Sequence, residues 1–309
     1  MLSRVADNLY WFGRYLQRAE NTARLVNVHA NLLLDLPRNV PVGWQPLLEI
    51  AGADESFRAT AQEATEDNVV RFLLVDERNP GAVFSSLNFA REIARVSRDC
   101  MPREAWERLN DLYLFVQDRG EKSVMRARRQ EFLQGVITGA MTIYGLLTAN
   151  MSRDVGFQFL RMGTNLEQAD MSTRILDARS SRLITYDAAL SPFDNIQWMS
   201  VLKSLTAYQM YRRHVKSRVS GTTVLRFLLQ NREFPRSVIF CLNMLGSALP
   251  HLPESRKVTR ALERTKALVM DANIDALITK PDALPTFMDE IQVGLGHLDD
   301  AIAESYFRV

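Results

Sequence analysis

Two cysteines, four scattered histidines and no glycine-rich phosphate loop deprive this sequence of most standard catalytic equipment. Cys100 and Cys241 stand far apart with no CxxC spacing, which argues against a disulfide scaffold, a structural zinc or a redox pair and fits a reducing cytoplasm. His29, His214, His251 and His297 show no metal-ligand spacing, and HExxH and GxSxG are absent. Neither GxxxxGK[ST] nor GxGxxG after a strand occurs, so nucleotide activation would fall to a partner and no cofactor is expected. Charge of one sign is also lacking. The formal net charge of +2 gives no global field toward nucleic acid or an anionic membrane, and neither is an expected partner. The start, MLSRVADNLYWFGRYLQRAE, has no apolar run before a small-residue cleavage site, so no signal peptide is expected. Strict two-residue alternation between turn signals is missing, which excludes an evident sheet.

What is present is helical periodicity. Val5, Leu9, Phe12, Leu16, Ala19, Ala23, Val26 and Ala30 recur by fours and threes, predicting a helix from Ser3 to about Asp35 that Pro37 and Pro41 do not let continue. Similar patterns place helices near 44–53, 66–75, 80–98, 103–118, 121–151, 153–178, 195–214, 222–230, 235–248, 254–278 and 284–307. The fold class is all-α, a helical bundle. Phe132 to Ser152 carries no charged side chain, long enough to span a bilayer. Its threonines and Gly135, Gly139 and Gly145 favour a central, buried soluble helix closely approached by its neighbours.

The chain also resembles itself. At a shift of 150, Gly13, Leu16, Ala19 and Arg24 fall on Gly163, Leu166, Ala169 and Arg174. At 154, Trp44, Leu48 and Arg58 fall on Trp198, Leu202 and Arg212; at 155, Arg71 to Leu74 match Arg226 to Leu229 and Pro80, Val83 and Leu87 match Pro235, Val238 and Leu242. Three matches in one order predict an ancestral duplication within a single domain, with a first repeat over about 1–120 and a central and second repeat over about 121–309. Two pseudo-symmetric units sharing a core are expected, with Trp44 and Trp198 as core anchors.

Beside the apolar seam, Gln17, Glu20 and Arg24 form a stripe that recurs as Glu167, Asp170 and Arg174. As plain structure, Glu20 with Arg24 and Asp170 with Arg174 are i,i+4 ion pairs. As a site, Glu20, Glu167 and Asp170 are candidate acids or bases, and Arg18, Arg24 and Arg174 candidate carboxylate clamps, in a cleft between the copies. A carboxylate-only metal site on Glu20, Glu167 and Asp170 lacks the Glu-x-x-His motifs of di-metal bundles, so no metal is expected. Arg212 and Arg213 belong to a basic run best read as a solvated face, with weak anion-binding candidacy.

The strings YWFGRYLQRAENTARL at 10–25, LEQADMSTRIL at 166–176, RFLLQNREFPRSV at 226–238 and FMDEIQVGLGHLDDAIAESYF at 287–307 resemble the bacterial alpha-E family. That resemblance implies an all-helical domain that accompanies a circularly permuted ATP-grasp protein and a transglutaminase-like protein in making or processing peptide amide bonds. Where the family's Glu-Arg pair is expected, the first copy reads Gln17-Arg18 and the second Glu167-Gln168. Each copy keeps half, and a neutral Gln cannot act as a carboxylate base. The favoured expectation is an auxiliary or partner-binding protein. An enzyme of the same pathway with a Glu/Asp-Arg site between the repeats is the alternative, and a homo-oligomer stays open.

Overall fold

The computed structural model describes residues 3–36, 42–184, 194–280 and 282–308, with 179–184 described by their backbone alone. Among the described residues there are fifteen α-helices and no strand. Helix α1 (Ser3–Asp35) is the expected long helix, with Leu9, Phe12, Leu16, Ala19, Ala23 and Val26 of its seam buried. Pro37 and Pro41, expected to prevent its continuation, lie outside the described residues. The short helices α2 (Gln45–Ile50), α3 (Asp54–Arg58) and α4 (Glu66–Leu74) lead to α5 (Val83–Val96), α6 (Arg103–Arg119) and α7 (Arg126–Asn150). Helix α8 (Val155–Ile184) then repeats the length of α1. It is followed by α9 (Asp194–Ser204), α10 (Tyr208–His214), α11 (Gly221–Gln230), α12 (Val238–Gly246), α13 (Arg256–Met270), α14 (Ile274–Thr279) and α15 (Ala283–Tyr306).

Helices α1 and α8 form the axis of the molecule. Each carries an apolar stripe too wide to bury alone, so each acquires flanking helices: α5 and α7 on α1, α12 and α15 on α8. Helix α6 bridges α5 and α7, as α13 bridges α12 and α15. The short helices cross over reciprocally, α2 packing on α8 and α9 on α1. Trp44 and Trp198, before α2 and within α9, are both buried.

The helix expected at 44–53 stops at Ile50, and those expected at 195–214 and 254–278 are each interrupted. The first two breaks have one cause. Gly52 and Thr206 adopt left-handed φ values of 62° and 55°, a conformation that ends a helix. Glycine takes it freely, whereas a β-branched threonine is strained there. Residues 271–273 separate α13 from α14, with Asn273 accepting from the Ala276 N–H as a new N-cap.

Helix α7 corrects one expectation outright. It is the one described helix long and apolar enough to cross a membrane, yet only 39% of its most apolar 18-residue window is buried. One face, including Phe132, Val136, Ala140 and Ile143, packs inward. Gln134, Thr138 and Thr142 sit on the exposed face together with Met141 and Tyr144, which are 55% and 42% exposed. The helix is thus a flank rather than the centre, a role taken by α1 and α8. Gly135 and Gly139 do admit close neighbours, the Phe115 ring and Leu112.

Candidate functional site

The close approach of α1 to α8 begins with two glycines. A Cβ on Gly13 would lie 2.3 Å from the Leu160 carbonyl oxygen, and one on Gly163 only 2.0 Å from that of Tyr10. Neither position tolerates a side chain without moving backbone. Residues about 150 apart therefore meet, which means that the two helices run side by side in the same direction. The side chains following Gly13 are delivered straight onto α8.

One of them is Arg18, which grips Glu167 with both ends of its fork, Nε to Oε1 at 2.6 Å and Nη2 to Oε2 at 2.8 Å. Arg14 adds Nε to Oε2 at 2.9 Å and carries the network on to Asp299 of α15 at 2.9 Å. Tyr10 also donates its hydroxyl to Asp299. Glu167 is 2% exposed, so this is a desolvated pair. Burial pushes its carboxyl up, but Arg18 and Arg14 outweigh that and hold it below the ordinary carboxylate range. For Arg14 burial works against the charge, but Glu167, Tyr10 and Asp299 together outweigh it and raise its pKa. The two halves of the Glu-Arg pair that sequence analysis found split between the copies, Arg18 and Glu167, are thus bonded across the axis.

Two residues past Arg18 on α1, Glu20 forms a second node, 3% exposed. Arg24 donates Nε to its Oε1 at 2.8 Å, Gln17 donates to Oε2 at 2.7 Å, and Arg236 reaches both oxygens at 3.0 and 2.8 Å. Gln17 and Arg236 each also donate to Asn21 Oδ1. Burial again raises the carboxyl and Arg236 with Arg24 lowers it further, so Glu20 stays ionised. Arg236 stands at the turn into α12, beside Pro235; its backbone carbonyl accepts from Ser172.

Asp170 and Arg174 pair as expected, Nε to Oδ2 at 2.9 Å, at a more open position with 21% and 34% side-chain exposure. Burial raises the Asp170 carboxyl, Arg174 opposes this and Glu167 reinforces it, leaving the net shift upward. Arg24 and Arg174 each pair within their own helix, with Glu20 and Asp170. The crossing contacts belong instead to Arg14 and Arg18 with Glu167, and to Arg236 with Glu20. Arg212 and Arg213 take no part in this network: both are exposed in the last turn of α10, where Arg212 donates to the Ser217 carbonyl at 2.8 Å. Sequence reasoning missed Arg14, Arg236 and Asp299. Arg14 lies one turn before Arg18 on the same stripe, a signal that could have found it; Arg236 is 216 positions from Glu20, and nothing local announces the contact.

Above the Glu20 node, α1, α7, α8 and α12 enclose a cleft of about 470 Å³ lined by Leu16, Gln17, Glu20, Arg161, Asn165, Gln168, Arg236, Phe240 and Met244 among others. This volume suits a small organic ligand. Both oxygens of Glu20 and of Glu167 are already held by guanidinium or amide donors, which leaves neither free to ligate a metal or to take a proton near neutral pH.

Fold and site together describe an all-helical scaffold built around α1 and α8, which are joined by buried arginine–carboxylate pairs with a ligand-sized cleft beside them. Residues 1–307 match the model of the Alpha-E family, described as a predicted alpha-helical domain with a conserved ER motif. The chain belongs to that family. It is 26% identical over 275 residues to uncharacterized proteins of Mycobacterium bovis and Mycobacterium tuberculosis, an alignment covering 83% of this chain and 30% of each relative. The chain therefore spans about a third of the length of those relatives. No solved structure matches it significantly.

Proposed function

We propose that this chain is a non-catalytic, partner-binding component of an amide-bond-forming system, acting in the cytoplasm beside an ATP-grasp-type ligase and a transglutaminase-like protein. The observation that carries this reading is the saturation of Glu20 and Glu167. A general acid or base needs a pKa near the working pH and a lone pair or proton to exchange, and these two carboxylates are held ionised with every oxygen bonded. Buried arginine–carboxylate pairs of this kind are better suited to fixing how two halves meet than to chemistry. The ligase partner itself rests on the family resemblance alone.

The same contacts support the duplication. Gly13 meets Leu160 while Gly163 meets Tyr10, and Tyr10 and Leu160 are counterparts at the shift of 150, so the contact is reciprocal as a twofold axis requires. Helices α5 and α12 both begin on a valine, Val83 and Val238, 155 positions apart. The order of helices favours a divide at residues 151–154, with α7 closing the first unit, over the divide near 120 read from the sequence.

Affinity purification of the tagged protein from its own cells after brief crosslinking tests the partner. Recovery of an ATP-grasp-type ligase, unaffected by Glu20→Gln when the melting temperature is matched, supports the binding reading. Peptide-ligating or hydrolysing activity in the purified chain alone, abolished by Glu20→Gln or Asp170→Asn in a folded protein, would establish the enzyme reading instead.

A further inference from the structure

The cleft holds one charge that the ion-pair network does not absorb. Arg161 lines it from α8, no carboxylate among the described residues pairs with it, and its Nε is buried without a hydrogen-bond partner. Burial depresses its pKa, with the Tyr144 hydroxyl opposing and Arg153 adding to the effect. A partly desolvated guanidinium left in this state attracts an anion.

The remaining lining narrows the choice of anion. Glu20 is already paired with both Arg24 and Arg236, so no carboxylate on the lining is left to neutralise Arg161. A single carboxylate matches the one unpaired guanidinium. One turn along α8, Asn165 gives its amide to the Arg161 carbonyl at 2.8 Å, and no described donor takes its Oδ1, which is left as an acceptor for an N–H. Leu16, Phe240 and Met244 supply apolar wall. Anion, amide N–H and apolar side chain are together what the end of a peptide presents.

We propose that this cleft binds the C-terminal end of an apolar peptide, its carboxylate on Arg161, its last amide N–H toward Asn165 and its side chain against Phe240 and Met244. The assignment stands on Arg161 and the cleft alone, so the absence of a ligase partner would leave it intact.

The test uses the full chain and four probes followed by calorimetry and saturation-transfer NMR: N-acetyl-leucyl-leucine, its C-terminal amide, octanoate and inorganic phosphate. The free acid should bind at least tenfold more tightly than the amide, and more tightly than octanoate or phosphate. Arg161→Gln should remove the preference for acid over amide, and Arg161→Lys should retain part of it. Arg128→Gln, at an exposed position outside the cleft, should leave it intact. Equal binding of acid and amide, no binding of either, survival of the preference in Arg161→Gln, or stronger binding of octanoate or phosphate would each overturn the assignment. Should Arg161→Gln fail to fold, the comparison of probes on the unaltered protein and on Arg161→Lys decides.

Discussion

Glu20 and Asp170 occupy matching places on the two central helices, each with an arginine four residues on, yet they live in different electrostatic surroundings. Glu20 is buried, clasped by Arg24 and Arg236, and lowered in pKa; Asp170 has Arg174 as its one ion-pair partner among the described residues, stays partly open to solvent, and is raised. Much of the difference traces to one residue. At the shift of 155, Pro80-Gly81 stands where the second half has Pro235-Arg236, so the arginine that reaches from α12 back to Glu20 has no equivalent for Asp170. The place beside Gly81 is approached instead by the side chain of Arg18, which turns to Glu167. Two similar stripes therefore lie in different surroundings, a sealed node and an open one, set by a residue far away in sequence.

That contrast orders the consequences of mutation. Glu167→Ala should be the most damaging, because it leaves Arg18 without its carboxylate and Arg14 with Asp299 alone among the described ion pairs; breaking a buried pair from one side costs about 3–5 kcal/mol, read as a lower denaturant midpoint. Gly163→Ala follows. Its Cβ has only backbone to displace, and overpacking of that kind costs about 1–3 kcal/mol or more, whereas Gly145→Ala, with open space around it, should be neutral or slightly stabilising.

The sharpest contrast is between the matched acids themselves. Glu20→Ala should lose about 3 kcal/mol by stranding Arg236, while Asp170→Ala should lose no more than about 1 kcal/mol, the usual range for a partly exposed pair. Equal losses would dissolve the distinction between a sealed and an open node.

Acid titration separates them by sign. Glu20 and Glu167 titrate below the usual 4.5 in the fold, so their stabilisation is complete above that value and fades as pH falls through the lower folded value. Asp170 titrates above its usual 3.8, so its ionisation removes stability as pH rises through the interval between the two values. Glu20→Gln and Glu167→Gln should flatten the acid limb of the stability curve, and Asp170→Asn should leave neutral-pH stability unchanged or slightly higher. Least of all, Arg212→Gln and Arg213→Gln should stay within about 0.5 kcal/mol of wild type, being exposed and outside the network.

Local pattern made much of this readable. The fours and threes of α1, and the recurrence of its stripe in α8, mark both the helices and the residues that line their contact, because seam and stripe are set by the 3.6-residue turn. Arg18 and Glu167 could be nominated as a composite pair from the halved Glu-Arg motif. What pattern could not supply was anything fixed by tertiary approach. Thr206 breaks a helix through a backbone conformation that its side chain disfavours, so composition argued for continuity. The uncharged stretch of α7 from Phe132 onward read as central because threonine and glycine dilute its apolar character without revealing which face is wet. Arg236 meets Glu20 only after the second half has folded onto the first.

The central claim is that Arg18 and Glu167 lock the two halves together, and a double-mutant cycle on that pair tests it most directly. Arg18→Gln, Glu167→Gln and the double variant would be compared by chemical denaturation. The account predicts a coupling energy of about 1–3 kcal/mol, with the double variant less destabilised than the two single losses combined. Losses that add to within about 0.5 kcal/mol would contradict it, since residues that do not share an interaction behave that way.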